Sequence, residues 1–270
     1  MGPRKGPARF PADLARPTVA VPRAADVLVR PQRLLHEAAR EAARRVEPSG
    51  LGLDSDAVRR RMVSRLRDQG IVHEGVLAAF FRVPRHLFVD SALAGQAYED
   101  TSLPIGWGQT ISKPSVVARM ISLLFEGDRA RESGSLGRVL EIGTGCGYQV
   151  ALLATLARQV VSVERLKPLH DKAREHLVAW RGSGVRLVHG DGRVGHPPLA
   201  PYDSIIAAAG GEALPPSWIE QLAEGGRLVA PMHDAQRGSQ VLVVVDKRQG
   251  VAVQSRHQAV HFVPLKSGVE

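Results

Sequence analysis

Three acids stand at or just beyond the ends of three short apolar runs: Glu141 in "RVLEIG", Glu164 in "VVSVE" and Asp191 in "VRLVHGDG". The first run opens into Gly143-x-Gly145-x-Gly147, a glycine loop between a strand and a helix, where backbone can approach a ligand closely. The dinucleotide fingerprint would need its third glycine at position 148, which is Tyr148. A carboxylate opening the loop suits a cationic ligand better than a pyrophosphate, since anions favour an undisturbed helix N-terminus. Glu164, at the end of the second strand, can accept both hydroxyls of a ribose, and Asp191 is placed to take an adenine amino proton. Each feature alone is ordinary. In order, at the ends of successive strands, they point to a nucleoside.

Other chemistry-bearing residues have blander readings. Cys146, the one cysteine, sits in the glycine loop and reads as a small packing residue rather than a redox thiol. His257 and His261 lie four apart in a strand-like segment without the glutamate of H-E-x-x-H, so no metal is expected.

The elements that must position these residues alternate. "RVLEIG", "VVSVE", "VRLVHGDG", "YDSIIAAA" and "RLVAPM" read as strands, with helices in "YQVALLATLAR", "LKPLHDKAREHLVAW" and "PPSWIEQLAEGG". Repeated strand–helix–strand units predict an α/β, doubly wound, mostly parallel sheet. The C-terminal runs around Gln249-Gly250 have no helix between them and predict an antiparallel strand pair closing the sheet. Upstream, "DAVRRRMVSRLRDQG" puts Val58, Met62, Val63 and Leu66 on one helical face, and "HEGVLAAFFRVP" gives a second helix stopped before Pro84. "KPSVVARMISLLF" reads as a third, with Ser112 as its N-cap and Pro114 near N1. Between them "LPIGWGQTIS" shows neither helical nor strand periodicity and reads as an irregular loop.

The chain has 270 residues, 44% hydrophobic and 23% charged, which fits a globular protein. No run approaches the ~20 apolar residues of a membrane span, and no apolar signal core precedes the first helix, so no membrane is expected. A single cysteine fits a cytoplasmic location. The net charge of +9 is uneven: residues 1–50 hold ten Lys or Arg against five Asp or Glu. That stretch is rich in Pro and Ala and lacks interleaved aromatics, so it reads as a solvated leader rather than a nucleic-acid anchor. Residues 1–52 are expected to be a partly disordered extension with one amphipathic helix in "QRLLHEAAREAARRVEPSG", and 53–270 the working domain.

The glycine loop, Glu164 and Asp191-Gly192 resemble the class I S-adenosylmethionine methyltransferases, which implies a seven-stranded, Rossmann-like sheet. The cofactor is then S-adenosyl-L-methionine, leaving S-adenosyl-L-homocysteine. The acceptor must come from the site. The turn that holds an exocyclic base amine is absent from "AAAGGEALPP", and no Pro-Cys nucleophile for cytosine exists. "LPIGWGQTIS", with "VPRHLFVD" before it and "KPSVVARM" after it, closely resembles the signature of the protein-L-isoaspartate O-methyltransferases. The likeness runs on through "VLEIGTGCGYQVALLA", "HGDGRVG", "QLAEGGRLVAPM" and "HFVPL", over roughly residues 56–266.

That resemblance implies methyl transfer to the free α-carboxylate of L-isoaspartyl and D-aspartyl residues in damaged proteins and peptides, the ester then cyclising to a succinimide. It places Ser112 at the acceptor carboxylate, and Ile105, Gly106, Gln109 and Ile111 toward the substrate. Thr110, Glu141, Gly143, Thr144, Gly145, Gly147, Glu164, Arg165, Asp191 and Gly192 go to the cofactor. Lys113, Ser115, Cys146 and Gly210-Gly211 depart from the family's usual residues, and Trp107 fills a variable slot. A monomer without a specific nucleic-acid partner is expected. The alternatives are a related methyltransferase acting on RNA or a small carboxylate, and a non-catalytic nucleoside-binding protein.

Overall fold

The structure, a computed structural model, describes Gly2 and residues 55–180, 184–236 and 238–270. The leader and the helix expected within 32–50 lie outside the described residues.

Helix α1, Asp56–Asp68, starts where the Ser55 hydroxyl accepts the Val58 N–H, and it buries Met62 and Leu66. Helix α2, Glu74–Arg82, is capped by His73 Nδ1, which accepts the Val76 N–H. Its C-cap Val83 is extended, as the residue before a proline should be. Two 3₁₀ turns, Arg85–Phe88 and Ser91–Gln96, then lead to the stretch read as an irregular loop.

That reading needs correction. Leu103–Gly106 (β1) and Gln109–Ile111 (β2) form an antiparallel hairpin, with Leu103 opposite Ile111 and Pro104 opposite Thr110. Leu103, Ile105 and Ile111 point into the core, so the alternation was present but short, and interrupted by glycines that serve the turn. Helix α3, Pro114–Phe125, follows, and its N-cap is Lys113, not Ser112; no side chain of the cap residue bonds the first turn. The Asp100 carboxylate accepts both the backbone N–H and the hydroxyl of Ser115 instead, capping the helix from a distant loop. A short helix α4, Asp128–Ser133, was not anticipated.

The main sheet has seven strands: β3 Arg138–Ile142, β4 Gln159–Glu164, β5 Val185–His189, β6 Tyr202–Ala207, β7 Leu222–Asp234, β8 Ser239–Arg248 and β9 Val251–Val260. Their spatial order is β5-β4-β3-β6-β7-β8-β9. The first five pair in parallel, and β8 and β9 join antiparallel, as expected from the run without a helix. Gln249 (φ 51°) and Gly250 (φ 74°) make the tight turn between β8 and β9, both left-handed as a two-residue hairpin loop of this kind requires. Helices α5 Tyr148–Ala154, α6 Lys167–His176 and α7 Pro216–Gln221 complete the crossovers. Strand β7 begins earlier than its sequence suggested, absorbing the "LAEGG" assigned to a helix end.

Apolar residues cover both faces of the parallel part. Val139, Val160, Ile206 and Val229 pack toward α3, α5 and α6, while Leu140, Val161, Ile205 and Leu228 share the other core with Trp218 of α7. From β3 the chain adds strands outward to β5, then returns to place β6 on the other side of β3. That reversal leaves a crevice at the carboxyl ends of β3 and β6, where open α/β sheets bind ligands.

Candidate active site

The crevice is a cavity holding about 890 Å³ of empty space, part of it open to solvent. One wall is the loop between β3 and α5. Gly143, Gly145 and Gly147 all have left-handed φ (90°, 55° and 91°), which non-glycine residues rarely adopt. Gly143 and Gly145 face the cavity with Thr144. Gly147 does not line it: it is the N-cap of α5, and a Cβ there would meet Leu177 at 3.0 Å.

Glu164 ends β4 and lines the cavity, although it is only 5% exposed. One carboxylate oxygen accepts the Gly145 N–H and the other the Leu166 N–H, each at 2.9 Å. A carboxylate offers about four lone-pair sites, so each oxygen keeps capacity for one further donor.

Glu141 lies elsewhere than a ligand-facing acid would. It is fully buried on β3 and forms no part of the cavity wall. Its Oε2 accepts the Ser162 hydroxyl at 2.5 Å, and the Ser162 and Thr144 hydroxyls lie 2.6 Å apart, so the acid reaches the glycine loop through two hydroxyls. The other oxygen, Oε1, has no hydrogen-bond partner. Burial pushes the carboxyl up to about 8; the Ser162 hydrogen bond opposes this and the Glu164 charge adds to it. Glu141 thus lies off the cavity wall and supports the glycine loop through Ser162 and Thr144 rather than meeting a ligand itself.

Asp191 also differs from its expected attitude. Its carboxylate accepts the Arg193 N–H at 2.8 Å and the Gly268 N–H at 2.7 Å, and it is not part of the wall. Gly192 is part of it, and a Cβ at that position would lie 2.5 Å from Ile142. No side chain fits at that position unless Ile142 moves.

The opposite wall is the hairpin. Ile105, Gln109, Thr110, Ile111 and Ser112 line it, and Ile105 comes so near the glycine loop that a Cβ on Gly145 would meet its Cδ1 at 3.2 Å. Gly106 lies outside the wall, exposed near the hairpin tip. Behind Ser112 stands Arg85, fully buried, donating from Nη2 to the Ser112 carbonyl at 2.7 Å and lying 4.8 Å from the centre of the Tyr148 ring. Cys146 is buried at the wall, and burial pushes its thiol up, away from the reactive thiolate.

Sequence reasoning missed the third wall, Val263, Pro264, Leu265 and Lys266. "HFVPL" carried the signal as a motif without a role. The residues beyond it are fastened to the cofactor-side elements. Arg165 donates from Nε to the Gly268 carbonyl at 3.0 Å and from Nη2 to Glu270 Oε1 at 2.8 Å, and Lys167 N–H reaches the Glu270 carbonyl at 2.7 Å. Ala208 and Ala209, just past β6, were likewise not singled out. Among the described residues no cluster of three or more His, Cys, Asp or Glu is arranged to hold a metal, and no helix is long and apolar enough to cross a membrane.

Residues 57–270 match the sequence model of the protein-L-isoaspartate(D-aspartate) O-methyltransferases. The protein-L-isoaspartate O-methyltransferase of Methylibium petroleiphilum is 60% identical over 270 residues, covering 100% of this chain and 99% of that protein. The one from Leptothrix cholodnii is 61% identical over 276 residues, 98% of this chain and 95% of that protein. A solved protein-L-isoaspartate O-methyltransferase superposes with a TM-score of 0.69 at 27% identity, covering 78% of this chain and 67% of that one. A Plasmodium falciparum protein described as a β-aspartate methyltransferase, solved with S-adenosyl-L-homocysteine, shares the fold at a TM-score of 0.66 and 24% identity; it matches 77% of this chain and 98% of its own.

Proposed function

The chain belongs to the protein-L-isoaspartate(D-aspartate) O-methyltransferase family, and from that premise we infer how its own residues move a methyl group to the free α-carboxylate of an L-isoaspartyl residue in a damaged protein. One observation carries the reading: the hairpin with Ser112 and the glycine loop with Glu164 face each other across one cavity, close enough for Ile105 to touch the loop.

S-adenosyl-L-methionine, when bound, supplies a methyl on a cationic sulfur. Gly143, Thr144 and Gly145 would hold its amino-acid end, with Glu141 supporting that loop through Ser162; Glu164 would hold its ribose hydroxyls with the remaining lone pairs, and Gly192 its adenine. Asp191 would act there by fixing the turn, and Arg165 by fixing the C-terminal segment that forms the third wall. The substrate carboxylate needs no base, because it is ionised at neutral pH. Its oxygen attacks the methyl carbon in line, the carbon–sulfur bond breaks, and an ester and a neutral thioether result with no proton transferred. The chain's task is to hold the carboxylate and exclude water. Ser112, whose backbone is fixed by Arg85, offers its hydroxyl for the first; Ile105, Ile111 and Leu265 serve the second. The ester then cyclises to a succinimide, and hydrolysis returns part of it to normal aspartate.

We further propose that residues 53–270 are the catalytic unit and that the enzyme works as a monomer in the cytoplasm, without a specific nucleic-acid partner. The test pairs an isoaspartyl peptide with its aspartyl counterpart and with total RNA, using S-adenosylmethionine labelled in the methyl. Base-labile label on the isoaspartyl peptide alone is expected. Label on RNA, or equal label on both peptides, would overturn the reading.

A further inference from the structure

The tip of the β1–β2 hairpin carries Trp107 between two glycines. The residue is 55% exposed, the one aromatic among the large apolar residues that the described residues leave in solvent. Its φ is +51°, flanked by Gly106 at +97° and Gly108 at +67°. Glycine occupies such a conformation without strain, and asparagine with little; a tryptophan there is strained. The turn is held by backbone: Gln109 Nε2 donates to the Trp107 carbonyl at 3.2 Å, a bond that does not depend on the indole. Space around the tip is open, since a Cβ on Gly106 or Gly108 would meet nothing within 4 Å. The turn's hydrogen bond does not require an indole, and the position carries both the strain of a left-handed φ and the exposure of an aromatic ring.

The tip is continuous with the acceptor wall. Ile105 and Gln109, two residues to either side of Trp107, line the cavity, with Thr110, Ile111 and Ser112 following in the same strand and its exit. A peptide whose isoaspartyl carboxylate sits at Ser112 can run out of the cavity along this wall to the hairpin tip. Exposed tryptophan at the rim of a binding site is the side chain most suited to grip a passing apolar group, because it offers a large rigid face for little entropy.

We propose that Trp107 is a specificity-determining residue, holding an apolar or aromatic side chain next to the isoaspartyl residue and so selecting among damaged sites. This rests on the methyl-transfer reading above. Backbone-built contacts at the cavity accept any isoaspartyl unit, while the indole ranks its neighbours.

The test uses two isoaspartyl peptides of equal length and charge, one with leucine and one with glycine on both sides of the damaged residue. Wild-type enzyme is expected to favour the leucine peptide by about fivefold or more in kcat/KM, carried by KM. Trp107→Asn, which tolerates the left-handed turn, should compress that ratio to about twofold or less, and Trp107→Phe should restore most of it. The indole emission should shift to the blue when the leucine peptide binds the enzyme saturated with S-adenosyl-L-homocysteine, and the shift should vanish in Trp107→Asn. An unchanged ratio in Trp107→Asn, or a wild type indifferent to the neighbours, overturns the inference. Failure of wild type to methylate either peptide would overturn the activity itself, a separate result from equal methylation of both.

Discussion

The Glu164 carboxylate accepts the Gly145 N–H at 2.9 Å, so the residue that ends β4 also fixes the loop that leaves β3. Two strands that are neighbours in the sheet are thereby clamped at the end where the cofactor would lie, and the clamp is itself part of the cavity wall.

Glu164→Ala is expected to weaken S-adenosylmethionine binding by ~1.5–3 kcal/mol, the range for a charge-assisted hydrogen bond, with little effect on peptide affinity. Glu164→Gln should not rescue it. An amide turns one of two acceptors into a donor that faces either the Gly145 or the Leu166 N–H. Calorimetry showing wild-type cofactor affinity in either variant would remove Glu164 from the ribose site.

Ser112 and Asp100 should part company when mutated. Helix α3 takes its cap from Asp100 through Ser115, so Ser112→Ala should change stability by less than about 0.5 kcal/mol. Turnover should nevertheless fall about tenfold or more, because misplacing a reacting atom is costly even when binding survives. Asp100→Ala should instead lower stability by ~1 kcal/mol, the usual worth of a lost cap. Denaturant melts and steady-state rates on both variants decide the matter; a full-rate Ser112→Ala enzyme leaves Thr110 as the next candidate.

Glu141 gives a pH signature. Its folded carboxyl titrates near 8 and its unfolded one near 4.5, so between those values the native state holds a proton that the unfolded chain has released. Its contribution to stability is then full below about 4.5 and is lost as pH rises to about 8. Glu141→Gln lacks this titration while keeping an acceptor for Ser162. The melting temperature of wild type relative to Glu141→Gln should fall between pH 5 and pH 9. A constant difference would mean that the acid is charged where it lies.

Removing residues 1–52 should leave isoaspartyl methylation within about threefold of the full chain, since the family match begins at residue 57 and every cavity residue lies beyond 104. A folded truncation slower by about a hundredfold would make the leader part of the site.

The parallel sheet was legible because β3, β4 and β5 are short apolar runs closed by glycine or an acid, and strand-like runs alternate with helical ones along the chain. The hairpin was not, because its alternation spans only three and four residues and is broken by the glycines of the turn. Ser112 was misplaced by one residue because a serine before a proline looks like a cap; the true capping group lies 15 residues upstream of Ser115, and no local pattern links them. Glu141, Gly147 and Asp191 were assigned to the cofactor from the family resemblance, as strand-end acids and a member of the glycine loop. Only the packing shows that each is turned toward protein: Ser162, Leu177 and the Arg193 and Gly268 amides. The third wall is contributed by the last residues of the chain, more than 70 positions after Asp191, a distance that sequence order cannot bridge.

An enzyme that repairs aged aspartyl residues is itself a protein that ages. Isoaspartate arises when the backbone nitrogen after an Asp or Asn attacks the side-chain carbonyl, most readily where that next residue is glycine. The chain has no asparagine at all, and one Asp-Gly pair, Asp191-Gly192. There the carboxylate is tethered to the amides of Arg193 and Gly268, the carbonyl of Gly192 accepts the Trp218 indole N–H, and Gly192 is packed against Ile142. The side chain cannot swing onto its neighbour's nitrogen while both tethers hold. The same turn that brings Gly192 to the cavity wall thus guards the chain's one Asp-Gly pair, and the C-terminal segment supplies one of its two tethers through the Gly268 amide.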